Sequence, residues 1–256
     1  MSLELKPRQS GGGLVKEISA GLWRMEIPAG SAGAYRLAEL DDHLHSARSR
    51  FPWQEPIQLE LQARVSAADL PGTWGFGFWN NPFSANLGLS GMARSLPVLP
   101  NAAWFFYAGP PNYLAVRDTH PAAGFLAAIF SAPKIPSLAL APAGLVLPLL
   151  AVPPAARLLR RAARLLIGED STLVDVDPTQ WHAYRLDWRK NQVRFFVDGR
   201  EFFSTPVTPR GRLGLVIWID NQYAAFPPSG KLCAGTSSNP DPAWLEVDQV
   251  QVFYEG

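Results

Sequence analysis

The sequence predicts an antiparallel β-sandwich. Several stretches alternate apolar and polar residues at period two, and 24 prolines and 21 glycines among 256 residues break them up with turns. Roughly a dozen such strands are too many for one open sheet of ordinary twist, so two sheets packed face to face are the economical arrangement. Hydrophobic residues make up 47% of the chain and charged residues 18%, which supplies a large core and excludes a disordered or coiled-coil chain. One domain spanning 1–256 is expected. A net charge of +1 lacks the basic excess that phosphate binding exploits, so no nucleic-acid partner is expected. A single cysteine, Cys233, excludes intrachain disulfides and Cys-cluster zinc sites, and no cofactor is expected. The opening Met1-Ser2-Leu3-Glu4-Leu5 has no apolar signal-peptide core, which leads to the expectation of a cytoplasmic protein.

Taken in order, Ile57 to Val65 alternates strictly and reads as a strand with one face on a core. Tyr184, Leu186 and Trp188 alternate with Arg185 and Asp187. Val193, Phe195 and Val197 resume the pattern before Asp198-Gly199, a pair that suits the two positive φ angles of a type I′ turn. A three-strand meander over 181–188, 193–198 and 200–204 follows. Near the C-terminus, Leu245 and Val247 share one phase while Val250, Val252 and Tyr254 share the other, so a β-bulge is expected near Asp248-Gln249.

Residues 121–168 read as an insertion. Between Ile135 and Ala156 there is no formal charge, but Pro136, Pro142, Pro148, Pro153 and Pro154 recur in the run, which argues against a membrane-spanning helix. From Ala155 to Ile167, Arg157, Arg160, Arg161 and Arg164 fall at helical spacing with leucines between them. A short basic amphipathic helix started by Pro154 and stopped by Gly168 is expected.

Trp181-His182-Ala183-Tyr184-Arg185-Leu186-Asp187-Trp188 and Val193-Arg194-Phe195-Phe196-Val197-Asp198-Gly199 together resemble a hairpin of family 16 glycoside hydrolases, members of the concanavalin A-like lectin/glucanase group. Leu59 to Val65 with Gly72 to Trp79, then Arg212 to Ile219, then Leu245 to Phe253 resemble further strands of that family in the same order. The resemblance implies an all-β jelly roll whose concave sheet forms a sugar-binding cleft. It also implies a Glu-x-Asp-x-x-Glu strand, supplying the two carboxylates of a retaining glycosidase. The first strand after Trp79, Ala102-Ala103-Trp104-Phe105-Phe106-Tyr107, contains no acid. The expectation is therefore a non-hydrolytic binder of a carbohydrate or an apolar small molecule, with two other readings open. One is a glycoside hydrolase with relocated carboxylates, and the other a membrane-peripheral protein acting through 135–167.

Ligand-binding candidates are the rings of Trp74, Trp79, Trp104, Phe106 and Trp218, with Asn80, Asn81, Asp220, Asn221 and Tyr223 beside them; aromatic faces and amides suit sugars. The same rings suit a sandwich core, and Asp220-Asn221 suits an Asx-type turn. Asp118, Asp220 and His120 are the first acid/base candidates. Asp41-Asp42-His43-Leu44-His45 has metal-ligand residue types but no fourth firm ligand, so no metal is expected. The arginines at 157, 160, 161 and 164 are candidates for meeting anionic lipid, and the insertion is equally suited to a homo-oligomer contact.

Overall fold

The computed structural model describes residues 3–82, 98–135 and 152–254. Most of the proline-interrupted apolar run, 136–151, lies outside them. Two seven-stranded antiparallel sheets form the sandwich. Sheet 1 is ordered β1 (Lys6–Ser10), β4 (Leu37–Asp41), β13 (Gly214–Asp220), β6 (Thr73–Trp79), β7 (Ala102–Ala108), β8 (Gly124–Ser131) and β9 (Gly168–Leu173). Sheet 2 is ordered β12 (Arg200–Thr205), β11 (Gln192–Val197), β10 (His182–Arg189), β5 (Ile57–Val65), β16 (Ala243–Tyr254), β3 (Leu22–Ile27) and β2 (Leu14–Ser19). A separate hairpin pairs β14 (Gln222–Ala225) with β15 (Cys233–Thr236), and helix α1 (Pro153–Leu166) lies between β8 and β9 in the chain. Among the described residues this is the expected jelly-roll sandwich with a helical insertion.

Period-two strands build the inter-sheet core. Every odd-numbered residue of β5 from Ile57 to Val65 is buried, and these residues meet Phe76, Phe78, Phe105, Trp188, Phe195 and Ile217 from neighbouring strands. The meander ends in the expected turn, with Asp198 at φ 50° and Gly199 at φ 76°. The expected bulge is present as well: the β16–β5 register slips between Asp248 and Gln251, with Gln249 at φ 53°.

Sheet 1 differs from sheet 2 in burying both of its faces. β7 and β13 are buried at every residue, so no polar alternation marks which side chains point inward. The inward set includes Leu40, Trp74, Phe76, Phe78, Phe105, Tyr107 and Ile217. A second cluster occupies the outer face: Leu37, Ala102, Trp104, Phe106, Ala108, Leu126, Ala128, Val216 and Trp218, with Tyr35, Trp79 and Phe130 packed against it.

Candidate functional site

Alternation along the central strands of sheet 1 assembles the outer face. On β6, Trp79 points outward while Gly75 and Gly77 leave space. A Cβ on Gly75 would come within 2.9 Å of Trp218 Cη2, and one on Gly77 within 2.6 Å of Trp104 Cβ. Two missing side chains therefore let two tryptophans lie flat across the sheet. Trp79 and Trp218 stack with planes 5° apart and centroids at 6.2 Å; Phe106 stacks on Trp104 at 5.2 Å and on Trp218 at 5.6 Å. The Trp104 indole N–H is buried in this block without a hydrogen-bond partner. A buried indole N–H ordinarily has one, so this donor stands unsatisfied inside the block, as do those of Trp74 and Trp188 in the core.

Next to the aromatic block, the same face becomes acidic. Glu39 and Asp41 project from β4 and Asp220 from β13, all at least nine-tenths buried. Trp218 sits opposite Glu39 and Leu37 opposite Asp220, so Glu39 and Asp220 are diagonal neighbours on adjacent antiparallel strands, roughly 7–8 Å apart along the backbone. Arg8, opposite Glu39 on β1, donates from Nη1 to Glu39 Oε1 at 2.9 Å. The Thr73 hydroxyl donates to Asp220 Oδ1 at 2.8 Å and accepts the Trp218 indole N–H at 3.0 Å. The Tyr35 hydroxyl lies 3.5 Å from Asp220 Oδ2.

Burial dominates the titration of both acids. It pushes Glu39 up to about 7, against the pull of Arg8 and with a further push from Asp41. Asp220 likewise rises to about 7 through burial, opposed by its hydrogen bonds from Thr73 and Gln222 and reinforced by the charge of Glu39. The same burial, together with the charges of Asp220 and Glu39, raises the Tyr35 phenol. Two interacting carboxyls raised in this way make Glu39 and Asp220 candidates for acid–base chemistry.

Trp79, Trp104, Phe106, Trp218 and Asp220 thus come together as the sequence suggested, but several other candidates do not join them. Trp74 points to the opposite face, stacked 5.5 Å from Tyr107 in the inter-sheet core, because β6 places its even-numbered residues inward. Asn80 is occupied in pinning the chain before β7, donating to Leu99 O at 2.8 Å and accepting from Asn101 N at 3.0 Å. Asn81 is a turn residue at φ 48° whose carbonyl accepts from Arg48. Asn221 is fully buried and saturated: it accepts from Arg36 N and donates to Ala34 O and Ser237 O. Tyr223 belongs to the β14–β15 hairpin, its hydroxyl against Gly235.

Asp118 is no acid/base candidate. Both its oxygens meet arginines of α1, Oδ1 with Arg160 at 2.8 Å and Oδ2 with Arg164, and these bonds hold its carboxyl below the usual range. His120 stands 4.0 Å from Asp170 on β9, and its charge pulls on Glu169, the buried acid opposite Phe130 at the far edge of the face, away from Glu39 and Asp220. The Asp41–His45 stretch gathers no metal set. His43 Nε2 accepts the Trp79 indole N–H at 3.2 Å, Asp42 accepts from Leu215 N and the Trp53 indole, and His45 is exposed. Among the described residues no group of three or more His, Cys, Asp or Glu is placed to hold a metal ion.

Glu39, Arg8, Thr73 and Tyr35 were not singled out from sequence. The available signal was Leu37-Ala38-Glu39-Leu40-Asp41, in which two acids share one face of an otherwise apolar strand. A groove of about 580 Å³, lined by Leu173, Val176, Asp198, Arg200 and Phe202 among others, lies by edge strand β9 and contains none of the candidate residues.

Neither a protein-family model nor a curated protein sequence matches the chain. Solved structures do. A Bacillus licheniformis β-glucanase aligns with 98% of this chain and 92% of its own at 10% identity and TM-score 0.50. A Bacteroides ovatus family 16 hydrolase bound to a mixed-linkage glucan product aligns over 97% and 94% at 8% identity and TM-score 0.50. The κ-carrageenase of Zobellia galactanivorans aligns over 94% and 81% at 10% identity and TM-score 0.51. The chain is therefore a jelly-roll β-sandwich related in fold, at low identity, to several family 16-like glycoside hydrolases.

Proposed function

We propose that the outer face of sheet 1 binds and hydrolyses a polysaccharide, with Glu39 and Asp220 as the carboxylate pair in place of the pair that β7 lacks. One observation carries this reading: two interacting carboxyls, each raised to about 7, share a buried face with a tryptophan block. Cleaving a glycosidic bond needs a carboxylic acid to protonate the departing oxygen and a carboxylate to activate water or attack the sugar. Asp220 has no cationic partner among its hydrogen bonds, so it is the acid. Glu39, paired with Arg8, is the group better supported as an anion. Trp79, the half-buried ring of the block, offers flat surface to a sugar ring. The β-glucanase and the glucan-bound hydrolase among the structural relatives make β-glucans the first substrates to try.

The test is release of reducing ends from mixed-linkage β-glucan and from κ-carrageenan. Wild-type protein is expected to release them from at least one, and Glu39→Gln or Asp220→Asn to lower the rate by about 10²-fold or more, the usual worth of general acid–base catalysis. Undiminished release by both variants, or none from either polymer by the wild type, rejects the hydrolytic reading. The acid-free face of β7, Ala102-Trp104-Phe106-Ala108, favours a second reading, binding without turnover. Glycan-dependent quenching of tryptophan fluorescence with no reducing ends would select it.

A further inference from the structure

Helix α1 is mounted inside out. Two of its four arginines, Arg160 and Arg164, turn toward the protein and its leucines away, the reverse of the usual orientation for an amphipathic helix on a globular core. Arg160, only 2% exposed, donates to Ala115 O at 2.8 Å, to Phe226 O at 2.5 Å and to Asp118 at 2.8 Å, between the rings of Tyr113 and Phe226. Arg164 donates to Val116 O at 2.9 Å and pairs with Asp118. These bonds fix the rotation of the helix. Leu158 and Leu165, two turns apart, are left 67% and 88% exposed, with Leu159, Leu166 and Val152 exposed by 40–48%. Such a contiguous apolar patch on a helix anchored by charge-assisted hydrogen bonds marks an interaction surface.

We propose that this leucine face docks on an anionic lipid surface. The charge arrangement selects that partner. Arg157 and Arg161 are exposed along one border of the leucine arc, and the helix contains no acid. Asp118 is held by Arg160 and Arg164, and Glu169 accepts from the backbone N–H groups of Val116 and Arg117. A second copy of this face would bring cations and no anion to the contact, whereas lipid phosphates supply the missing charge while acyl chains receive the leucines. At the N-terminal end the β14–β15 turn packs on the helix, Gly230 against Pro153 and Arg157, which places the exposed Lys231 and Leu232 next to the same border. No helix among the described residues is long and apolar enough to cross a membrane.

The experiment is flotation of the full chain with vesicles of phosphatidylglycerol and phosphatidylcholine in equal parts, compared with phosphatidylcholine alone. Binding to the anionic vesicles is expected, weakening with salt. Leu158→Glu with Leu165→Glu should abolish it, and Arg157→Gln with Arg161→Gln should weaken it about five-fold per arginine. All four positions are exposed, so tryptophan emission should show an unchanged fold in each variant. Absence of binding at low salt, or binding that survives the leucine substitutions, overturns the proposal. A dimer seen by sedimentation that the leucine variant dissolves, without any vesicle binding, would assign the face to a second copy and equally overturn it.

Discussion

One face of sheet 1 has two unlike halves. Over β6 and β7 it is aromatic and contains no ionisable group, with Trp79, Trp104 and Phe106 spread over Gly75 and Gly77. Over β4 and β13 it carries Glu39, Asp41 and Asp220. Trp218 joins them, stacked on the aromatic side and bonded through Thr73 to Asp220. The difference teaches that a face without acids on β7 can carry them on β13 and β4, two and three strands away. Burial on this face raises the carboxyls of Glu39 and Asp220.

The largest expected effect comes from cutting the joint. Trp218→Ala removes three ring contacts and the bond to Thr73 and leaves a cavity, so a loss of about 3–5 kcal/mol is expected in urea unfolding. Gly77→Ala comes next. Its Cβ would lie 2.5 Å from the Ala103 carbonyl oxygen, a backbone atom that cannot swing aside, and overpacking of about 1–3 kcal/mol should appear in thermal melts with lost glycan quenching. Thr73→Val strips Asp220 of a donor and Trp218 of an acceptor. It should cost about 1–3 kcal/mol and move the Asp220 midpoint further upward, since the hydrogen bond it removes holds that carboxyl down.

A subtler contrast comes from pH. Glu39 and Asp220 titrate near 7 when folded, above the ordinary 4.5 and 3.8, so the folded state holds more protons between those limits. Their contribution to stability is complete below about 4 and is lost as pH rises through about 7. Urea midpoints should accordingly fall between pH 5 and pH 8. Asp220→Asn, which keeps an acceptor for Thr73 without a buried charge, should flatten that decline and be more stable than wild type at pH 8. A decline of the same steepness in the variant would show that Asp220 does not contribute to it.

Much of sheet 2 was legible in the sequence because it has one wet face. Strict alternation gave β5, β10 and β11, the Asp198-Gly199 pair gave the turn, and the phase slip between Val247 and Val250 gave the bulge. Sheet 1 was legible as strands but not in phase. With both faces apolar, Trp74 and Trp79 on one strand cannot be assigned to opposite sides from pattern alone, and Trp74 turned out to be core. The helix was found at nearly its observed bounds, Pro153–Leu166 against 155–167, but its direction was not. A basic stripe is ordinarily solvated, and only the carbonyls of Ala115 and Phe226 with Asp118 explain why Arg160 faces inward. Glu39 is not legible from its own segment because its surroundings come from Arg8, 31 residues before it, and Trp218, in a strand near the other end of the chain.

The most direct test of the relocated acids is carbon NMR titration of the side-chain carboxyls of Glu39 and Asp220, assigned with Glu39→Gln and Asp220→Asn. Two midpoints near 7, one of which moves down when the other acid is replaced, are the expected result. Both carboxyls titrating near 4, as in water, would leave no proton to deliver at neutral pH and contradict the account.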